Sequence, residues 1–553
     1  MPGQDRASLY VSCLALIMSA CAHVTNASLC GGKDHAAGAS CEYNGRGESS
    51  YRFSPKADKE TLVIVTLSGG GARAAALAFG TLTMLDKLDA PDSNGQPASG
   101  SLLDQIDIIS SVSGGSVTAG WYALKGKSGL ATTGDNAQLW DFLNRDWTTN
   151  LTWKGLNPWT LARYTFTSYE RNDVLSDFFA EHLFGRVTYQ AVLQRYKSDP
   201  HQPYVILNAT DLGHEAIFPF TQGRFDFLCS DLGKYRLADA VAASGNFPLA
   251  FSPLGLENYS GCEAQHSASW RSDGPPQWVE HYQLFEAPHA GAPRSIQLNE
   301  LRVARLAQDY LQSPETGNGD KYVHLLDGGV TDNLGIRSTL AIEDDPARVP
   351  SLYLRLSGPN RPAGYQRIQR ILYIVVNART RNPKGIDKRK APPGEITTAL
   401  RMVDTQLDSS TLADQDYLIA ELEATANDMP GESPAKRSGA LGGCDAASPF
   451  LSCKAEAQAT FPAPTAHLKF YVVSVDFEMI PDKACRDRAW LLATNWGLRE
   501  HQAQDIVDIA TVILNNSADL AKFYRETNQT PPAILKKRET FDEPCKSLEA
   551  HSQ

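Results

Sequence analysis

Ile-Ile-Ser-Ser-Val-Ser-Gly-Gly-Ser-Val-Thr-Ala-Gly occupies residues 108–120. Ile106, Ile108 and Ile109 read as an apolar strand, and Val117 to Leu124 as a helix. Between them Ser113 has to take a tight turn, so its neighbours must be small. Gly114, Gly115 and Ser116 meet that need. Such a strand–turn–helix holds a serine hydroxyl out at the end of a sheet, beside a helix start that favours developing negative charge. The usual elbow pattern is Gly-x-Ser-x-Gly. Here Ser111 stands at its first position, so the match is incomplete, and a Gly-rich turn without chemistry is the competing reading.

Residues 61–85 repeat the theme: a buried strand, Thr61 to Leu67, then Ser-Gly-Gly-Gly-Ala-Arg-Ala and an Ala-rich helix with Leu77, Leu82 and Leu85 on one side. Consecutive glycines ahead of a helix leave backbone N–H groups free to converge on an anion. Gly69, Gly70 and Gly71, with Arg73 beside them, suit a phosphate or the oxyanion of an acyl-transfer intermediate. Gly69, Gly71 and Ala74 also fit the dinucleotide pattern G-x-G-x-x-A. That pattern wants an acid about twenty residues on, which Asp86 and Asp89 match poorly. A third strand, Tyr-Val-His-Leu-Leu-Asp in residues 322–327, ends at Asp327 and turns through Gly328 and Gly329. An Asp-Gly-Gly turn is ordinary by itself.

Taken in order, anion loop, serine and aspartate each stand at a strand end. In this the chain resembles the patatin-like phospholipases, lipid acyl hydrolases that work with a Ser–Asp dyad. Ser-Gly-Gly-Gly-Ala-Arg-Ala is similar to the family's oxyanion loop, with Ser68 where Asp is common. Ala74 replaces the usual final Gly, as in the related cytosolic phospholipases. Ser111 to Ser116 resembles the nucleophile elbow, and Asp327-Gly328-Gly329 the motif of the dyad aspartate. Residues 205–212 and 237–254 fit between them, the latter resembling a helix that leads into a Pro-marked turn below the active site. The resemblance covers roughly residues 59–340. It implies a three-layer α/β fold, a central and mostly parallel sheet with helices on both faces.

The dyad has a physical logic of its own. A serine needs a base, and a carboxylate within hydrogen-bond reach can take its proton once burial raises its pKa. Ser113 is the expected nucleophile, Asp327 the base, Gly70 and Gly71 the oxyanion donors, and Arg73 a cation near the lipid phosphate or the oxyanion. A Ser-His-Asp triad in α/β-hydrolase order would need a later histidine. His467 precedes a strand, His501 reads as an exposed helix position, and His324 lies inside a strand. The dyad is the expected arrangement.

Leu9 to Met18 is apolar, of signal-peptide length and too short to span a bilayer. Ser19 and Ala20 then precede Cys21, which resembles a bacterial lipoprotein signal. The expectation is export, acylation of Cys21 and attachment to the cell envelope, at the outer membrane because Ala22 follows. Beyond Cys13 and Cys21, eight cysteines remain, an even number that suits an oxidising compartment. Proximity suggests Cys30–Cys41, Cys229–Cys262 and Cys444–Cys453, leaving Cys485–Cys545. None has zinc-site spacing, and neither metal nor cofactor is expected.

A net charge of −11 excludes a nucleic-acid partner and gives no attraction to an anionic membrane, so the acyl anchor has to carry attachment. Residues 1–20 read as signal, 21–58 as a tether with few core residues, and 59–345 as the catalytic core. Residues 346–553 read as an extension of the same domain, with 426–466 a long loop. Within it Ile371–Val376 and Leu468–Val475 are strand-like, and Glu395–Ala424 and Glu500–Tyr524 helical. Trp147, Trp153, Trp159, Tyr164, Phe166 and Tyr169, between Trp140 and Arg171, fit either a lipid-facing cap or an ordinary core. The expected function is a membrane-anchored phospholipase A or lysophospholipase. A neutral-ester lipase and an inactive lipid-binding envelope protein are the alternatives.

Overall fold

Thr61–Leu67 is apolar at nearly every position and buried at all of them, so it can only be a strand covered on both faces. It is β1, the third strand from one edge of an eight-stranded mixed sheet in a computed structural model. The structure describes residues 24–28, 51–56, 59–91, 99–167, 169–248, 250–259, 294–311, 319–342, 364–380, 395–426, 468–492, 494–499, 501–527 and 539–550, with Leu352, Leu356, Pro532 and Leu535.

The elements that position the site follow in chain order: α1 (Gly71–Leu85), β2 (Ile108–Val112), α2 (Gly114–Lys125), α3 (Thr148–Leu156), α4 (Pro158–Phe166) and α5 (Arg171–Phe179). Then come β3 (Tyr204–Asp211), β4 (Ala216–Pro219), α6 (Leu237–Ser244), β5 (Leu254–Glu257), β6 (Tyr322–Asp327) and α7 (Gly329–Asp332). The chain continues through β7 (Arg370–Asn377), α8 (Glu395–Ala426), β8 (Lys469–Asp476), α9 (Lys483–Trp490), α10 (Gln502–Asn515), α11 (Ala518–Glu526) and α12 (Asp542–Ala550).

Strand order is β5-β6-β3-β2-β1-β7-β8, with β4 paired to the end of β3. The five strands from β3 to β8 are parallel, and β6 and β5 run against their neighbours. Parallel pairing brings the ends of β1 and β2 to one edge. The antiparallel β6 would end at the far edge if it were as long as β3. Its short pairing, Ala209 opposite Asp327, instead stops it one step beyond the Val112–Asn208 pair. Asp327 is thereby level with Ser113.

Three expectations change in the fold. Residues of the supposed tether belong to the core. Tyr51 and Phe53 are buried, and the Tyr51 hydroxyl bonds the backbone of Val205 from both sides. Asn26 is buried too, and its side chain bonds Ser230 and Glu257. The signal was one of composition, which cannot reveal that Tyr51 packs among Tyr189, Tyr196 and Tyr204. The helix after the elbow starts at Gly114, three residues earlier than apolar periodicity suggests. The region Glu500–Tyr524 is two helices, parted where Ser517 caps α11 through the Leu520 N–H. The Ile506, Ile509, Ala510 and Ile513 face of α10 is buried, and α10 packs on α1.

Cys485 and Cys545 form a disulfide between α9 and α12, closing a separation of 60 residues, and Cys229 is also disulfide-bonded. Cys21, Cys30, Cys41, Cys262, Cys444, Cys453 and His467 lie outside the described residues, as does nearly all of 426–466. A loop of that size restricts the unfolded chain enough that Cys545→Ala is expected to lower stability by about 4 kcal/mol. Denaturant unfolding of the variant beside the wild type, both without reductant, measures it. Among the described residues no helix is long and apolar enough to cross a membrane.

Candidate active site

Ser113 has φ 50 and ψ −118, a conformation that a residue with a Cβ adopts only under strain, worth about 1–3 kcal/mol. The turn survives because the residues after it have no side chains. A Cβ on Gly114 would stand 2.0 Å from the carbonyl oxygen of Gly71, and one on Gly115 2.6 Å from that of Leu67. The Gly115 N–H donates to the Ser68 carbonyl, tying the elbow to the glycine loop.

Below the serine runs a buried chain of hydroxyls. Ser111 bonds Ser116 at 3.0 Å, Ser116 bonds Ser244 at 2.8 Å, and Ser244 Oγ accepts the Ser113 N–H at 2.9 Å. Ser244 ends α6 and also reaches the aspartate turn, because its carbonyl accepts the Gly328 N–H and the next carbonyl but one, of Asn246, accepts that of Asp327. One helix end thus holds both halves of the site. Ser111, at the position where an elbow commonly has Gly, fits because its hydroxyl belongs to this chain.

Asp327 is buried on the pocket wall with Ser113, whose hydroxyl acts on its carboxylate, and the Gly329 N–H donates to Oδ1 at 2.9 Å. Burial pushes the Asp327 carboxyl up to about 6, against the opposing pull of those two donors. It is a stronger base than a carboxylate in water and is still ionised at neutral pH. No histidine lines the pocket among the described residues. His324 is exposed in β6, opposite Gly255, and His501 is exposed ahead of α10.

The glycine loop splits by hydrogen bonding. The Gly69 N–H donates to the Asn333 carbonyl and is not available to an anion. Gly70 and Gly71 have φ 135 and φ 61, and among the described residues neither N–H has a partner. These two donors stand on the pocket wall with Ser113 and Asp327. Ser68, in the place of the common Asp, accepts the Ala378 N–H on its hydroxyl and so fastens the loop to the end of β7.

Arg73 differs from expectation. Its guanidinium is buried, with Nε donating to the Ala378 carbonyl at 2.9 Å and Nη1 to the Leu492 carbonyl at 2.6 Å and to Thr494 at 3.2 Å. It borders the pocket while building it, by joining α1 to the segments after β7 and α9. The reason is topological: β7 lies beside β1, so carbonyls from far along the chain face the loop.

Several pocket residues gave no signal in sequence. Asn333 holds Gly69 through its carbonyl and donates from Nδ2 to Thr411 of α8 at 3.1 Å, and Leu407 of the same helix lines the pocket. Ala378, Arg379, Thr380, Asn495 and Trp496 also stand on the wall, as do Gly245, Phe247 and Thr494. Asn333 follows the Gly328–Gly329 turn closely in the sequence.

The patatin-like phospholipase family model matches residues 65–340, from β1 to just beyond the aspartate turn. The chain carries a patatin-like phospholipase domain. Solved structures similar to it include human GIVD cytosolic phospholipase A2, 12% identical over 88% of this chain and 63% of that one, with a TM-score of 0.37. VipD from Legionella pneumophila is 11% identical over 89% and 75%, with a TM-score of 0.23. The complex of SpcU with ExoU from the type III secretion system of Pseudomonas aeruginosa matches at 13% over 89% of each chain, with a TM-score of 0.19. The chain spans less than two thirds of the human structure's length. No curated protein matches in sequence. Strands β7 and β8, which complete one side of the sheet, lie beyond the matched patatin-like region, yet Ala378 and Trp496 of that later part close its pocket.

Ser244 is a positioning residue for this patatin-like site. Ser244→Ala leaves the Ser113 N–H without its acceptor, and a buried donor so orphaned costs about 1–3 kcal/mol. The expected result is a kcat lowered about tenfold with KM little changed, and a matching loss of stability. Ser244→Thr, which keeps the hydroxyl, should recover part of the kcat.

Proposed function

We propose that the chain is an exported, membrane-anchored lipid acyl hydrolase of the phospholipase A or lysophospholipase type. One observation carries the reading: a serine on a strained elbow shares one pocket with a buried carboxylate and with two N–H groups that have no partner among the described residues. The patatin-like family is one of lipid acyl hydrolases, which agrees with that chemistry.

In the proposed mechanism Ser113 Oγ attacks the ester carbonyl while Asp327 takes its proton. Gly70 and Gly71 donate to the oxyanion of the tetrahedral intermediate, a service worth about 3 kcal/mol per donor in other hydrolases. Collapse releases the alcohol portion, a lysophospholipid or glycerol derivative, which receives the proton from Asp327. Water then attacks the acyl–Ser113 ester with Asp327 again the base, and the fatty acid leaves. A head-group phosphate would face the arginines of the pocket wall, Arg73 and Arg379.

Export is supported by the disulfides at Cys229 and Cys485–Cys545, which persist in oxidising compartments. Attachment to the envelope would run through an acylated Cys21. The test of function is a panel of phospholipid, lysophospholipid and neutral glyceride esters. Preferred cleavage of phospholipid or lysophospholipid supports the reading, and cleavage of neutral glycerides alone favours a lipase. Cys21→Ser is expected to move the protein from membranes to the soluble fraction. Retention in the membrane pellet after a carbonate wash would contradict the anchor.

A further inference from the structure

The aromatic run after Trp140 divides in the structure. Trp147 is buried, stacked on Phe142 with ring centroids 5.4 Å apart. The pair of helices that follows, α3 and α4, is the opposite: α3 has no buried residue at all. Trp153 is 68% exposed, Leu156 62%, Trp159 77% and Leu161 38%. Two indoles and two leucines turned to water on two consecutive short helices form an exposed apolar patch.

The helix pair is joined to the pocket wall. The Trp147 N–H at its base donates to the carbonyl of Trp496, and Asp146 bridges to Gly497. Trp496 lines the pocket and meets the Phe179 ring edge-on at 5.0 Å, while Phe179 in turn packs on Phe142. The patch and the pocket therefore share one rigid aromatic support.

Charge narrows the occupant. Residues 148–166 contain no Asp or Glu in a chain of net charge −11, and their two cations are already paired, Lys154 with Glu181 and Arg163 with Asp177. The patch is electrically neutral. It offers nothing to an anionic surface, and two copies of so acidic a chain repel. Indole rings with a polar N–H edge instead suit the boundary between head groups and acyl chains. We infer that Trp153, Leu156, Trp159 and Leu161 dock the enzyme on a zwitterionic phospholipid surface, so that lipid reaches the Ser113 pocket from the bilayer. The inference rests on the reading of that pocket as a lipid ester site.

The test compares Trp153→Ala/Trp159→Ala with its parent in the full chain, both carrying Cys21→Ser to remove acylation. In the binding arm Ser113→Ala is added, and co-sedimentation with phosphatidylcholine vesicles is measured. The double variant is expected to bind at least about tenfold more weakly. In the activity arm, with Ser113 intact, kcat/KM on the same vesicles falls by a similar factor, while that on a monomeric short-chain ester stays within about twofold. Unchanged vesicle binding overturns the inference, as does an equal loss on both substrates. A shift in solution mass from dimer to monomer also overturns it, by assigning the patch to a second copy. Weakened binding beside a parent that cleaves no ester would support the docking surface and contradict the proposed function instead.

Discussion

Replacing Ser113 by Ala is expected to lower kcat/KM toward a phospholipid ester by roughly four orders of magnitude or more. The fold should be untouched. Alanine occupies the φ 50 turn with the same backbone strain, and the N–H that Ser244 Oγ accepts is unchanged by the substitution. What disappears is the atom that forms the covalent intermediate, and no neighbouring group offers a substitute: Ser111, Ser116 and Ser244 are buried and bonded to one another or to backbone. Circular dichroism and the denaturation midpoint should match the wild type. Hydrolysis at a wild-type rate would remove Ser113 from the chemistry.

The second large effect is at Asp327. Asp327→Asn keeps an oxygen for the Gly329 N–H but cannot take a proton from Ser113, and kcat/KM should fall by about three to four orders of magnitude. Replacing His324, His467 or His501 by Asn, one at a time, should leave activity within about threefold, since proton transfer is asked of none of them. The wild-type pH profile carries the same signature. Only ionised Asp327 is a base, so kcat/KM should rise with pH through about 6 and then level off, the value to which burial pushes this carboxyl.

The stability sign runs the other way. A carboxyl whose folded-state pKa lies above its unfolded value of 3.8 favours folding fully below that value, and the contribution is lost as pH rises through about 6. A shift of that size corresponds to about 3 kcal/mol of strain at neutral pH. Asn escapes it, so the inactive variant should unfold at an equal or higher denaturant concentration at pH 7.5. A mutant that is both inactive and much less stable would point to a structural role for Asp327.

What could be read from the sequence were positions where the backbone makes demands that few residues meet. A serine between a strand and two glycines, three glycines before a helix, and an aspartate ahead of Gly-Gly each announce a strand end. The structure brings Ser113, Asp327, Gly70 and Gly71 to one pocket. The rest depended on pairing across long separations. That β7 adjoins β1, with Arg370 opposite Thr61, is encoded in neither segment alone. Because of it, Arg73 is drawn to the Ala378 carbonyl beyond β7, and Ser68 is fastened to the Ala378 N–H; the Gly69–Asn333 bond and the place of Trp496 in the pocket wall depend on further distant pairings. Ser244 was one of several small residues in an Ala-rich helix, and nothing local marked it as the link between elbow and aspartate. Tyr51 sat in a stretch of loop-like composition, yet its hydroxyl is part of the core.

The covalent intermediate decides the central claim. Wild-type enzyme and Ser113→Ala are each mixed with a phosphatidylcholine, quenched in acid within one turnover, digested and analysed by mass spectrometry. The account predicts the mass of one acyl chain on the peptide containing Ser113, with none in Ser113→Ala. An acyl group on another residue, or hydrolysis of the lipid with no acylated peptide at any quench time, would contradict it.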